Sequence, residues 1–275
     1  MEHVFTRYPG FRDKALTLSY DDGDKYDKRL IEIMSKHGLR GTFNISSSFM
    51  GSGGYKLTRE EVEALYLPSG NEIGVHGVAH LSLAAVDVAV ATSDIINDRL
   101  ALEEMCGCLI TGMAYANGSA DKNSANILKC CGIKYARTVE STESFDLPED
   151  WLYLNPTCHH NNPRLMELAR EFAEAPPAKY SWRRTPKLFY LWGHGFEFEF
   201  DDKWNIIEEF AEYIGNRDDI WYATNGEIYD YIKAAESLRF GVNMKMVENP
   251  SSKDIYLDIR GKKVIAAAGK TTVIE

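Results

Sequence analysis

The sequence lacks any uninterrupted apolar stretch of about 18 residues, the length that a membrane-crossing helix requires. It also lacks a surplus of positive charge: 31 Lys and Arg stand against 41 Asp and Glu, for a net charge of −10. Phosphate backbones and anionic lipid surfaces are bound by clustered cations, so neither nucleic acid nor a membrane is an expected partner. Cysteine is scarce and odd in number, five in 275 residues, and Cys130 and Cys131 are adjacent. That pattern is not a disulfide framework, and Cys106-x-Cys108 lacks the spacing of a zinc knuckle. All five are read as structural thiols in a reducing compartment. The first residues, Met1 to Tyr8, carry no basic segment followed by an apolar run, from which a cytoplasmic location is expected. The glycine-rich run Gly51 to Gly54 has no Lys-Ser/Thr after it, which excludes a phosphate-binding loop. No Gly-x-Ser-x-Gly elbow occurs, which argues against a serine hydrolase.

What is present is an alternation of short apolar runs with helical stripes. The spacing predicts strands at 15–20, 41–45, 72–75, 109–115, 134–139, 188–192 and 220–223. Helices are expected over 26–37, 58–67, 83–105 with an interruption near Thr92 and Ser93, 123–131, 163–175, 203–214 and 227–235. Thr58 and Glu61 form a capping box at the second of these. Roughly seven strand-then-helix units imply an α/β fold with a parallel sheet, at a size that suits a barrel. The barrel is expected to fill residues 1–238. Residues 239–275 form a C-terminal β extension, with a hairpin over 254–267.

Three motifs fall where predicted strands end, the place where barrels put their chemistry. The first is Tyr20-Asp21-Asp22-Gly23, which by itself is also a common turn. The second is His76-Gly77-Val78-Ala79-His80, whose two imidazoles at i and i+4 would share a helical face and one metal. Asp21 or Asp22 can complete a set of two His and one carboxylate. The third is Trp192-Gly193-His194, a histidine placed to act as a general acid.

Taken together and in this order, these motifs resemble the polysaccharide deacetylase family, carbohydrate esterase family 4. The resemblance spans most of residues 14 to 236. It implies an irregular (β/α)7 barrel, here with a short C-terminal β-hairpin appendage, that binds one divalent metal, with zinc expected. It also implies roles: Asp22, His76 and His80 as metal ligands, Asp21 as general base and His194 as general acid. The substrate would be a small molecule or carbohydrate, and the reaction hydrolysis of a C–N amide bond, as in N-deacetylation of a sugar.

The third motif of that family, Arg-x-Pro-aromatic-Gly, falls on Ala114-Tyr115-Ala116-Asn117-Gly118. The arginine that would tune the base is absent, and Arg137 on the next strand is the expected substitute. Asn117 takes the position whose backbone N–H would hold an oxyanion, and with Tyr115, Trp151 and Trp192 it is expected to line the substrate groove. Adjacent side chains diverge on an extended backbone, so His159 and His160 are not expected to share one metal, although one of them can line the pocket. The altered third motif keeps two other readings open: a hydrolase of cyclic amides such as allantoin, and a metal-retaining carbohydrate binder without catalysis.

Overall fold

The computed structural model describes residues 4–177 and 186–274; residues 1–3 of the N-terminal reading lie outside them. In chain order the strands are β1 (Val4–Arg7), β2 (Lys14–Asp21), β3 (Gly41–Ile45), β4 (Glu72–Val75), β5 (Gly112–Ala114), β6 (Tyr135–Arg137), β7 (Cys158–His159), β8 (Lys187–His194) and β9 (Ile220–Tyr222). Five more follow: β10 (Arg239–Phe240), β11 (Met246–Glu248), β12 (Ile255–Ile259), β13 (Lys262–Ala266) and β14 (Thr271–Val273). The helices are α1 (Asp27–Lys36), α2 (Arg59–Tyr66), α3 (Val88–Cys106), α4 (Lys122–Cys130), α5 (Leu165–Glu174), α6 (Gly195–Phe200), α7 (Trp204–Ile214) and α8 (Asn225–Glu236).

Strands β6-β5-β4-β3-β2-β8-β7 lie side by side and are all parallel. Short β9 pairs with the first three residues of β2, below β3. Leu154 bridges back to Arg137 at the end of β6, which brings the two margins of the sheet together. The result is the curled seven-stranded sheet of an irregular (β/α)7 barrel. Every residue of β2 is buried, as expected of a strand covered on both faces. The helices close the outside with apolar stripes; on α7 these are Trp204, Ile207, Phe210, Ala211 and Ile214. Capping boxes at Thr58 and Thr224 start α2 and α8.

Two differences from expectation bear on the site. β8 runs two residues further than predicted, so His194 ends the strand in register with Asp21. The break before α3 lies at Val86 and Asp87, after a 3-10 turn at Leu83–Ala85. Thr92 does not break the helix, because its hydroxyl donates to the Val88 carbonyl at 2.7 Å and stays inside the turn.

The tail contains the expected β12–β13 hairpin and more. β1 adds to the free edge of β12, and β10, β11 and β14 make a second three-stranded sheet. Ile255, Leu257 and Ile259 join Tyr8, Ala15, Leu188 and Tyr231 in one buried cluster, so the tail shares a core with the underside of the barrel.

Candidate active site

The ends of β2, β8, β6 and β4 deliver Asp21, His194, Arg137 and, one residue on, His76 to one end of the barrel. Asp22 follows with φ +82°, a left-handed conformation that costs a non-glycine residue about 1 kcal/mol or more. This turn swings its carboxylate toward the histidines. Its Oδ1 lies 3.8 Å from Nε2 of His76 and 3.8 Å from Nε2 of His80. The other oxygen pairs with Lys56 Nζ at 3.2 Å.

His76 and His80 do converge, with ring centroids 4.6 Å apart, but not on a helix. Residues 76–80 form a turn in which Gly77 has φ +83° and His80 φ +52°. The helical reading fails because four of the segment's five backbone amides are taken by α3, and only that of His80 turns back, onto the Gly77 carbonyl. Asp98 accepts from the amides of His76 at 3.0 Å, Gly77 at 2.9 Å and Ser47 at 2.7 Å. Asp94, one helical turn earlier, accepts from Ala79 at 2.9 Å. Burial pushes the Asp98 carboxyl up to about 6, against these hydrogen bonds. Nδ1 of His76 lies 2.9 Å from the Ala114 carbonyl, so as a donor it leaves the Nε2 lone pair facing Asp22 and His80. Burial depresses the basicity of His76, which favours this neutral form.

Asp21 is 2% exposed and accepts from Asn44 Nδ2 at 2.9 Å. Its Oδ2 is paired with the guanidinium of Arg137, which is itself fully buried. Arg137 sits in register with Ala114 on β5, one strand away from where the family's arginine would stand. Its guanidinium also covers the Trp192 ring at 4.3 Å. Burial alone would raise the Asp21 carboxyl; the charges of Arg137, His76 and His194 outweigh it and hold the group at about 2.

His194 points Nε2 toward Asp21 Oδ2 at 4.0 Å and Nδ1 toward Glu197 Oε2 at 3.3 Å. Burial works against its protonation, but Glu197 and Asp21 raise its basicity above that of a free histidine.

Other expected residues divide. Asn117 is exposed at the rim, and its amide nitrogen donates to Ser82 Oγ at 3.1 Å, next to the His80 turn. Trp192 lies at the site between Arg137 and His159. Tyr115 does not reach the groove: its ring is buried, and its hydroxyl donates to the Leu152 carbonyl at 3.1 Å. Trp151 does not either. It is 5% exposed and packs edge-on against Tyr229, which also touches Tyr135 at the opposite end of β6 from Arg137. His159 and His160 converge where divergence was expected, with Nε2 atoms 3.2 and 3.1 Å from Glu197 Oε2. The pleat argument fails because β7 ends at His159 and His160 already belongs to a turn.

The residues missed by sequence reasoning are Asn44, Lys56, Asp94, Asp98 and Glu197. Asp94 and Asp98 stand at i and i+4 in a helix whose other buried positions are largely apolar, which is a signal of carboxylates aimed inward. Glu197 stands three residues after His194, the spacing of a helix cap, and it accepts from the His194 amide at 3.1 Å.

Comparison with known proteins agrees with this frame. The sequence profile of the polysaccharide deacetylase family matches residues 9–136. A chitin deacetylase from Pestalotiopsis sp is 31% identical over 103 residues, 36% of this chain and 33% of the relative. The chain thus matches about a third of the length of that curated relative. A polysaccharide deacetylase structure from Mycobacterium smegmatis superposes with a TM-score of 0.59 at 16% identity, covering 84% of this chain and 94% of that one. A family 4 carbohydrate esterase from Streptomyces lividans superposes with a TM-score of 0.53 at 12% identity, over 77% and 93% of the two chains. At such identities these two structures speak for the fold. Motif order, profile and fold agree, and over residues 9–136 the chain is similar to the polysaccharide deacetylase family, carbohydrate esterase family 4.

Proposed function

We propose that this protein hydrolyses the acetamide of an N-acetylated sugar or sugar derivative. The observation that carries the reading is the buried Asp21–Arg137 pair, set between His194 and the Asp22, His76 and His80 group.

Asp22, His76 and His80 suit a divalent cation, zinc first among the candidates. Their ligand atoms lie within 4.8 Å of one another, and His76 has its free Nε2 turned inward by the Ala114 contact. Such a cation would supply Lewis acidity toward an amide carbonyl and toward water.

The remaining chemistry belongs to the chain. Asp21 remains ionised through the neutral range and takes the proton of the attacking water as general base. Arg137 and Asn44 hold that carboxylate in place, and Arg137 does for Asp21 what the family's third-motif arginine would do from β5. His194, whose basicity Glu197 and Asp21 raise, protonates the departing amine as general acid. Asn117, exposed beside the His80 turn, offers a polar contact to a substrate at this end of the barrel.

The test is acetate release from a panel of N-acetylated monosaccharides and short oligomers, run beside ring opening of cyclic ureides. Acetate release that disappears in Asp21→Asn and His194→Gln supports the proposal. Retained activity in both variants overturns the mechanism, and turnover of ureides alone overturns the substrate class.

A further inference from the structure

A second convergence of donors lies on the far side of His194 from Asp22. One carboxylate oxygen, Oε2 of Glu197, faces three imidazole nitrogens: His159 Nε2 at 3.2 Å, His160 Nε2 at 3.1 Å and His194 Nδ1 at 3.3 Å. Four residues from β7, the turn after it, β8 and α6 meet at this point. The ligand atoms of His159, His194 and Glu197 lie within 4.8 Å of one another.

Two of these contacts are close without being aligned as hydrogen bonds. His160 is 1% exposed, yet neither of its ring nitrogens has a hydrogen-bond partner, and Nδ1 of His194 has none. Leaving a buried polar atom unbonded forfeits its hydration without replacement, so the arrangement is unfavourable unless something else takes the lone pairs. The rings are also held where they are. Tyr20 stacks on His160 at 5.8 Å, Phe198 covers it at 4.1 Å, and Trp192 meets His159 edge-on at 4.6 Å. Gly193 leaves room for this packing, since a Cβ there would clash with the His160 ring.

The spacing suits coordination. Bonds of about 2.0–2.1 Å in tetrahedral geometry put neighbouring ligand atoms about 3.3 Å apart. The three distances from Glu197, 3.1 to 3.3 Å, have that length. Imidazole with one carboxylate selects zinc, cobalt and their neighbours over magnesium or calcium, which prefer all-oxygen shells.

We propose that His159, His194 and Glu197, with His160 beside them, form a second site for a late first-row divalent cation, separate from the Asp22, His76 and His80 group. A cation there takes the lone pair of His194 Nδ1 and excludes a proton from that nitrogen. Given the role assigned to His194 above, filling this site inhibits hydrolysis, so excess metal acts as a brake.

The test counts metal and does not depend on turnover. Metal-free protein is dialysed against cobalt(II) at pH 7 and the bound metal measured by elemental analysis. The wild type is expected to hold two equivalents, and His159→Ala, Glu197→Gln and His80→Ala one each. Glu197→Gln keeps an acceptor for the His194 amide, so it guards against a folding artefact in His159→Ala. A wild-type count of one that His159→Ala and Glu197→Gln leave unchanged overturns the second site. A count of one that Glu197→Gln abolishes and His80→Ala leaves unchanged upholds the second site and overturns the reading of the first.

Discussion

Replacing Arg137 by Ala strands a carboxylate in the barrel end. Asp21 lies at about 2 instead of 3.8, and at 1.36 kcal/mol per pKa unit that gap is worth about 2 kcal/mol. Burial opposes the charge, so Arg137, His76 and His194 together contribute more than this net figure. Breaking a buried pair by removing one partner costs about 3–5 kcal/mol. At roughly 2–4 °C per kcal/mol for a chain of this size, the melting temperature at pH 7 falls by on the order of 10 °C. The sign with pH is specific. In the wild type the depressed Asp21 adds stability above about pH 4, and this is lost as pH falls toward 2. In the variant burial is opposed only by His76, His194 and the Asn44 hydrogen bond, so the carboxyl rises, and the deficit shrinks once acid neutralises it. The acidic limb of kcat/KM moves to higher pH by the same reasoning. Arg137→Met keeps bulk against Trp192 and separates loss of charge from loss of packing. Thermal melts from pH 3 to 8, with pH–rate profiles of both variants, make the measurement. An unmoved acidic limb, or a stability deficit equal at pH 3 and pH 7, refutes the role of Arg137.

Ala114→Arg, added to Arg137→Ala, returns a guanidinium from the neighbouring strand and should recover part of the lost activity and lower the acidic limb again. Asp98→Asn turns an amide N–H toward one of the backbone donors of Ser47, His76 or Gly77, and metal affinity measured by chelator competition should fall about 10–100-fold. Gly77→Ala places a Cβ against Asp94 at φ +83°; calorimetry should show destabilisation of about 1–3 kcal/mol together with weaker metal binding. Glu197→Gln removes a charge that favours the His194 imidazolium, so the alkaline limb of kcat/KM should move to lower pH.

The barrel was legible because its strands are short apolar runs separated by helical stripes; β3 and β4 fall on the predicted residues. Arg137 was legible as well, since the next strand must end at the same level as β5. The His76–His80 pairing was found for the wrong reason: four-residue spacing suggests a helix, but the turn depends on Asp94 and Asp98, which the local sequence does not associate with it. Tyr115 and Trp151 were misplaced because an aromatic ring has the same sequence signature on a groove as in a core. The contact of Lys56 with Asp22 joins residues 34 positions apart, and no spacing rule reaches that far.

Strand β1 pairs with β12, Val4 opposite Ile259, across nearly the whole chain. Closing a loop of about 250 residues from an open coil costs about 5 kcal/mol of entropy, so this pairing is a poor starting point for folding. The barrel must first bring the two partners near each other, and the β1–β12–β13 sheet then zips onto it as a late event. Until β12 has been synthesised, Val4 to Arg7 wait as an open edge without their partner strand. During translation this edge is the place where a stalled or truncated chain is most exposed to pairing with another copy of itself.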